Sequence, residues 1–205
     1  MHPEILTAKQ VELLQYIKKF QRKFYMVGGT AIAFQLGHRR SIDFDLFCQG
    51  SLIKSQIRNK LFQVPFKQIK LFEDYDQIHF LINDVKITFF SFPYLIEHPI
   101  KIEHFITIPT LLTLSSMKAF ALGRRAKWKD YVDLFFILKG YHTIEEISKE
   151  AFKNFGQHFS EKLFREQLTF HKDIDYSEPV EYLIPAPSED EIKQFLIDKA
   201  FVIEL

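Results

Sequence analysis

The feature that most constrains the fold is a glycine pair, Gly28-Gly29, between a short apolar run and a helix-forming stretch. The run at 24–27 is typical of a buried strand, and the stretch at 30–36 favours a helix. Glycines let the backbone approach an anion closely, and the free N–H groups at a helix N-terminus point towards it. Thr30 adds a hydroxyl donor. These residues predict a phosphate cradle, although an ordinary strand-to-helix turn carries the same short pattern.

A second signal is the alternation of acidic and apolar residues that begins at Asp43, with 13 residues between Gly29 and Asp43. On a strand, Asp43 and Asp45 project from the same face, roughly 6–7 Å apart. Two carboxylates at this spacing repel each other unless a cation lies between them, and Mg²⁺ beside paired carboxylates commonly holds substrate phosphates. The pattern predicts a metal site on Asp43 and Asp45. The alternative is a solvated acidic strand, or aspartates paired with Arg39 and Arg40.

The remainder of the sequence predicts an α+β fold whose strands precede most of its helices. Stretches between residues 66 and 92 are rich in β-branched and aromatic residues, and Asn83-Asp84 marks a hairpin turn among them. From Pro109 onwards the spacing of apolar residues becomes helical. We therefore expect a mixed β-sheet with flanking helices at 1–108 and a helical region at 109–205 that completes the site.

Composition narrows the class of protein. The 205-residue chain is 47% hydrophobic, enough to bury a core, and its formal net charge of +1 gives no general sign of a nucleic-acid partner. A single cysteine, Cys48, excludes an intramolecular disulfide framework and fits a reducing compartment. No apolar run approaches the roughly 20 residues that span a bilayer, and residues 1–20 lack the pattern of a secretory signal. We expect a cytoplasmic protein with no membrane partner.

Charged residues of the helical region are candidates for the other half of a site. Lys118 and Arg125 are seven residues apart and share a helix face, and 124–129 holds four basic residues. Asp130 and Asp133 follow at neighbouring helical positions. A solvated helix end, or aspartates that simply neutralise the nearby cations, would account for the same residues.

The string at 24–47, FYMVGGTAIAFQLGHRRSIDFDLF, resembles the AbiEii/AbiGii toxin-type nucleotidyltransferases, which belong to the polymerase β-like superfamily. The family pattern Arg-x-Ser-x-Asp-x-Asp-Leu is matched at 39–46, and its Arg/Lys-Asp-x-x-Asp-Leu segment at 129–134. The resemblance implies a nucleotidyltransferase fold. It also implies magnesium-dependent transfer of a nucleoside monophosphate from a nucleoside triphosphate to an acceptor hydroxyl.

Roles for individual residues follow from the same resemblance. Asp43 and Asp45 would hold Mg²⁺, Lys118 would contact the triphosphate, and Asp130 would complete the acidic site or act as a base. The expected catalytic residues are Asp43, Asp45, Lys118 and Asp130. The expected nucleotide-binding residues are Gly28, Gly29, Thr30, Arg40, Ser41, Lys118 and Arg125.

One position departs from the superfamily pattern. Enzymes of the wider superfamily usually place a third carboxylate on a later strand, where this sequence has Thr88. A threonine cannot carry that charge. Either the site works with Asp43, Asp45 and a helical aspartate, or catalysis is weak or lost.

Three functions stay open at this point. The resemblance implies a toxin of a toxin–antitoxin or phage-defence system that modifies an RNA end, a tRNA end above all, with an antitoxin protein as partner. The basic segment 124–129 is compatible with an RNA backbone. Transfer to a small-molecule acceptor is an alternative. A catalytically silent nucleotide- or protein-binding module is another, and Thr88 is the feature that favours it.

Overall fold

The computed structural model describes residues 1–122 and 124–202. Within these ranges the strands are β1 (Tyr25–Val27), β2 (Phe44–Gln49), β3 (Gln68–Asp74), β4 (Gln77–Ile82), β5 (Val85–Phe92), β6 (Ile100–Ile102) and β7 (Ile106–Ile108). The α-helices are α1 (Ala8–Ile17), α2 (Gly28–Leu36), α3 (Lys54–Leu61), α4 (Leu111–Leu122), α5 (Trp128–Gly140), α6 (Ile144–Phe155), α7 (Glu161–Thr169) and α8 (Glu189–Phe201). No helix in the described ranges is long and apolar enough to cross a bilayer.

The first five strands form one sheet in the order β1-β2-β5-β4-β3. β2 and β5 run parallel, and the other neighbouring pairs of this sheet are antiparallel. β6 and β7 form a separate hairpin. The predicted α+β fold with a mixed sheet and flanking helices is confirmed.

The β4–β5 hairpin turns at the predicted dipeptide. Asn83 and Asp84 have φ of 52° and 60°, the left-handed values that a two-residue type I′ turn requires at both positions. Their short polar side chains tolerate this region better than bulky ones do. β4 pairs with one edge of β5, and β2 pairs with the other edge. In the register of β2 and β5, Asp45 lies opposite Thr88.

The boundaries around Asp43 differ from those predicted. α2 begins at Gly28 rather than at residue 30, so β1 ends at Val27. The last β1–β2 pair joins Val27 to Asp45, and β2 begins at Phe44. Asp43 therefore lies immediately before the strand that was predicted to contain it, since the pairing of β2 with β5 begins at Phe44, opposite Ile87.

The helical region packs against α2, which contacts both α4 and α5. Apolar residues from both parts of the sequence form one continuous core, Phe44 and Tyr131 among them. The division into two units at 108/109 stays a prediction.

The segment 171–188, here the return segment, is an extended connection between α7 and α8. Its backbone bridges to Lys127 through Asp175 and to Arg39 through Tyr182. It therefore touches both the start of α5 and the loop between α2 and β2.

Candidate active site

The glycine turn lies directly against one of the predicted metal ligands. Gly28 has φ of 72°, a left-handed conformation that favours glycine, and a Cβ placed on it would overlap the Asp45 carboxylate. A Cβ on Gly29 would lie 2.5 Å from Arg39 Nη2. Both glycines are thus required by close approach, the first to a carboxylate and the second to a guanidinium.

We expect Gly28→Ala to lose much more activity than stability. The chain offers a matched control in Gly50→Ala, because Gly50 has φ of 77° and a Cβ added there would meet no atom within 4 Å. Both substitutions should lower the free energy of unfolding by about 1–2 kcal/mol, the cost of a left-handed non-glycine residue. Gly28→Ala alone should displace Asp45 and lower nucleotide transfer on the order of a hundredfold. Urea denaturation and a transfer assay measure the two effects, and equal activity losses would contradict the assignment of Gly28.

The hydroxyls of Thr30 and Ser41 point inward and hold the backbone that carries Asp43. Both residues are buried. Thr30 Oγ1 bonds to the carbonyl oxygen of Asp43 and lies 2.9 Å from Ser41 Oγ. Gln10 Nε2 donates to the Ser41 carbonyl at 2.9 Å. Their side chains position Asp43, a different task from the predicted direct contact with a nucleotide.

Asp43 and Asp45 are not neutralised by the arginines that precede them. Arg39 pairs with Asp133 and Arg40 with Glu181. In the described part of the chain, neither Asp43 nor Asp45 has a cationic nitrogen within 4 Å. The pKa of Asp43 is raised, first by burial and then by the charge of Asp45. A cation bound between these two carboxylates would reduce their repulsion, so the pair is a candidate cation site.

The donor set fits a magnesium ion that is shared with a substrate. Mg²⁺ prefers oxygen ligands and is commonly held by one or two carboxylates together with phosphates and water. Asp43 and Asp45 supply the carboxylates beside a glycine turn suited to phosphate. The described residues contain no cluster of three or more metal-ligating side chains. Thr88 indeed stands beside Asp45 in the sheet register, so a hydroxyl occupies the place predicted for it.

Lys118 is held by two aspartates of α5. Its Nζ lies 2.7 Å from Asp130 Oδ1 and 2.7 Å from Asp133 Oδ2, and its side chain is 5% exposed. Lys118 also lines the cleft described below. The two carboxylates fix the ammonium group at the cleft wall.

Asp133 anchors this network and was not among the predicted site residues. It accepts hydrogen bonds from Arg39 Nε at 2.7 Å and from Arg39 Nη2 at 2.9 Å, a bidentate pair. His38 Nε2 lies 2.8 Å from Asp133 Oδ1. The i, i+3 spacing of Asp130 and Asp133 was the sequence signal for this partnership, but it did not identify Arg39 as the partner.

Asp130 has a setting that does not favour the predicted role of base. Its Oδ1 accepts from Lys118 at 2.7 Å and its Oδ2 from Arg125 at 3.0 Å. Burial alone would raise its pKa, but the charges of Lys118 and Arg125 outweigh burial and lower it. Nor does Asp130 join Asp43 and Asp45 in an acidic cluster. Its observed contacts instead orient the two cations, as one of the sequence alternatives proposed.

Three basic residues outside this network are neutralised by acidic residues of the segment 171–188. Lys127 and Lys129 both pair with Glu178 of the return segment. Arg40, predicted to bind nucleotide, pairs with Glu181 and does not line the cleft. Arg124 packs over the Phe120 ring, with its guanidinium carbon 3.7 Å from the ring centroid. Of the four basic residues at 124–129, Lys127 and Lys129 are therefore neutralised by Glu178, whereas Arg124 and Arg125 are exposed and line the cleft.

A cleft of about 600 Å³ opens in front of Asp45 and Gly28. Its charged or polar lining residues are Asp45, Gln77, His79, Lys86, Thr88, Lys118, Arg124 and Arg125. Its aromatic lining residues are Phe47, Phe90, Phe92, Tyr94 and Phe120. Phe47 and Phe90 follow Asp45 and Thr88 on the same face of β2 and β5, so the aromatic end of the cleft follows the charged groups along these strands. The cleft thus offers charged groups and aromatic rings, which suit the phosphates and the base of a nucleotide.

Comparison with known families agrees with this geometry. The model of a family described as "Nucleotidyl transferase AbiEii toxin, Type IV TA system" matches residues 13–201. The chain belongs to the AbiEii nucleotidyltransferase toxin family. As a member of it, the protein is a nucleotidyltransferase enzyme of the toxin type.

Individual proteins similar to this chain share 33% or less of its sequence. A protein of Aquifex aeolicus (strain VF5) is 33% identical over 143 residues, which cover 64% of this chain and 67% of that protein. MenT4, a nucleotidyltransferase toxin of Mycobacterium tuberculosis H37Rv, is similar in structure with a TM-score of 0.65 at 11% identity. That match covers 94% of this chain and 80% of MenT4. JHP933 of Helicobacter pylori matches with a TM-score of 0.54 at 14% identity, over 95% and 91% of the two chains. At these identities the two solved structures support the fold alone.

Proposed function

We propose that this AbiEii-family enzyme uses Mg²⁺ to transfer a nucleoside monophosphate from a nucleoside triphosphate to the terminal hydroxyl of an RNA, with tRNA as the expected acceptor. The observation that carries the proposal is the pair Asp43 and Asp45. Neither aspartate has an ion-pair partner in the described ranges, and Asp45 opens into the cleft beside the glycine turn. Bound Mg²⁺ would act there as a Lewis acid that polarises the α-phosphate.

The protein's own groups suit the triphosphate. Backbone N–H groups at the start of α2 point towards the cradle, where a helix N-terminus favours an anion. Lys118 lies at the cleft wall in a fixed position, and the Arg125 side chain keeps 53% of its surface exposed. These cations would neutralise the charge of the leaving pyrophosphate. Catalysis in this arrangement depends mainly on positioning and charge neutralisation.

The aromatic end of the cleft suits the base. Phe47 and Phe90 lie 4.9 Å apart, and Tyr94 lies 5.5 Å from Phe120. Phe120 is covered by Arg124 and by Phe155, whose ring is stacked on it at a centroid distance of 4.1 Å. The rings left for stacking are therefore the other ones of this end. Stacking of a base on such rings contributes about 1–3 kcal/mol and tolerates every base. A nucleotide with its phosphates at Gly28 would therefore place its base along this wall.

The identity of the acceptor molecule is tested by a transfer experiment. The protein is incubated with Mg²⁺, total tRNA and each of the four α-labelled nucleoside triphosphates in turn. We expect labelled RNA with at least one nucleotide, and no label when EDTA replaces Mg²⁺ or when Asp43→Ala replaces the wild type. Label on a small molecule of a cell extract but not on RNA would overturn the RNA acceptor. Binding of Mg²⁺-nucleotide without any transfer would overturn catalysis and favour a silent binding module.

The toxin role of the family also leads us to infer a cognate antitoxin. Co-expression of the chain with the product of a neighbouring gene tests this inference. Growth inhibition by the chain alone, relieved by the second gene, is the expected result.

A further inference from the structure

We propose that His79 accepts the proton of the attacking hydroxyl, and so supplies the function that a third carboxylate at position 88 would otherwise provide. The inference rests on the proposed nucleotide transfer. In that reaction the acceptor oxygen forms a bond to the α-phosphorus while the bond to pyrophosphate breaks. The proton that leaves the acceptor oxygen passes to the imidazole, which becomes an imidazolium and later releases it to water.

The sheet register places His79 in line with the metal-site strand. Asp45 of β2 is opposite Thr88 of β5, and Thr88 is opposite His79 of β4. Two strand spacings separate the backbones of Asp45 and His79 by about 10 Å. A hydroxyl that approaches the α-phosphate above the short side chain of Thr88 would lie between the two. An aspartate carboxylate at 88 would reach one bond further into that space than the hydroxyl of Thr88 does.

The other ionisable groups of the cleft cannot take this proton. Its charged and titratable lining residues, within the described ranges, are Asp45, His79, Lys86, Tyr94, Lys118, Arg124 and Arg125. Ammonium and guanidinium groups have no acceptor lone pair, and the Tyr94 phenol is an acid. Asp45 is assigned to the metal, and both oxygens of Asp130 are already hydrogen-bonded. His79 is the remaining acceptor.

The contacts of His79 prepare it for this role. Its Nε2 lies 2.9 Å from Gln77 Oε1. An amide oxygen only accepts, so the tautomer that satisfies this contact donates from Nε2 and keeps the lone pair of Nδ1 for a proton. Phe72 of β3 packs against the ring at a centroid distance of 5.3 Å. Burial, and next the charge of Lys86, lower the pKa of His79, while the charge of Asp45 opposes them. The ring is therefore neutral, and basic, at neutral pH.

The test compares His79→Gln with wild type in single-turnover nucleotide transfer across pH. Glutamine keeps a polar side chain of similar size but cannot accept a proton. We expect a loss on the order of 10²–10⁴-fold, the usual contribution of a general base. The wild-type rate should rise with pH through the pKa of His79, and that rise should be absent in His79→Gln. His104→Gln, a substitution on an exposed histidine outside the cleft, should match wild type.

A second variant keeps the inference testable if His79→Gln is also perturbed in structure. His79→Ala opens space in the cleft, and added imidazole should restore part of its transfer activity. Full activity of His79→Gln, an unchanged acidic limb in its pH profile, or no rescue of His79→Ala would each overturn the role of His79. These outcomes leave the proposed transfer intact, because the wild type is active in all of them. Absence of transfer by the wild type with every acceptor would overturn both proposals.

Discussion

Replacing Asp45 with asparagine should lower nucleotide transfer by roughly a hundred- to a thousandfold while the protein stays folded. Asparagine has nearly the same shape as aspartate, so it fits beside Gly28 without the overlap that a larger change would cause. What it removes is one of the two charges that would hold Mg²⁺, and the Lewis-acid contribution of such a metal is several kcal/mol, or about tenfold for each 1.4 kcal/mol. The change should also remove the charge of Asp45, which after burial is the second cause of the raised pKa of Asp43.

Single-turnover transfer rates at several Mg²⁺ concentrations measure the effect of Asp45→Asn. Excess Mg²⁺ should restore part of the activity if the loss arises from weaker metal binding. Asp173→Asn removes one carboxylate charge at an exposed position of the return segment and should leave the rate unchanged. If Asp45→Asn transferred nucleotide at the wild-type rate, the metal site on Asp43 and Asp45 would have to be abandoned.

Replacing Asp133 with alanine should cost much more stability than removing an exposed charge. Asp133 is 0% exposed and Arg39 is 1% exposed, so the pair lies wholly inside the molecule. Removing one partner of a buried ion pair leaves the other as an uncompensated charge, which typically costs about 3–5 kcal/mol. Lys118 would lose one of its two anchors at the same time. Urea denaturation measures the change, and Asp173→Ala is the exposed control. A loss below about 1 kcal/mol, the level of a surface pair, would show that the network does not stabilise the fold.

The same network predicts an acid-sensitive stability. Burial alone would raise the pKa of Asp133, but the charges of Arg39 and Lys118 outweigh it and hold the pKa well below the ordinary value of 3.8. The unfolded chain then binds more protons than the folded one in acid. The contribution of Asp133 is therefore fully present above the ordinary pKa and is lost as pH falls through the folded-state pKa. We expect the free energy of unfolding to depend less steeply on pH below about 4 in Asp133→Asn than in wild type.

Local patterns were sufficient to predict the fold class and the centre of the site. The strand, glycine turn and helix at 24–36 were predicted from apolar runs and glycines, and the structure places them beside Asp45 as the spacing indicated. The hairpin at Asn83-Asp84 was predicted from the two residues that tolerate positive φ. In each case the decisive residues are neighbours along the chain, so the backbone geometry itself relates them.

Partnerships between distant residues were beyond the reach of such patterns. Arg39 and Asp133 are 94 positions apart, and only the packing of α2 against α5 brings them together. Adjacent arginines also face opposite environments, since Arg39 is buried against Asp133 and Arg40 turns outward to Glu181. The sequence shows which residues are charged, but it does not show which of them form ion pairs.

Taken alone, the sequence determined where the chain turns tightly and which side chains share a face, because glycine φ values and strand alternation are local properties of the chain. From these it predicted a site that includes Gly28, Asp43 and Asp45, and the structure places Gly28 against Asp45. Only the tertiary structure decided how the remaining charges are used. It assigned Asp130 and Asp133 to Lys118 and placed His79 two strands from Asp45, since ion pairs and cleft walls form between elements whose mutual positions are set by the packing of the whole core.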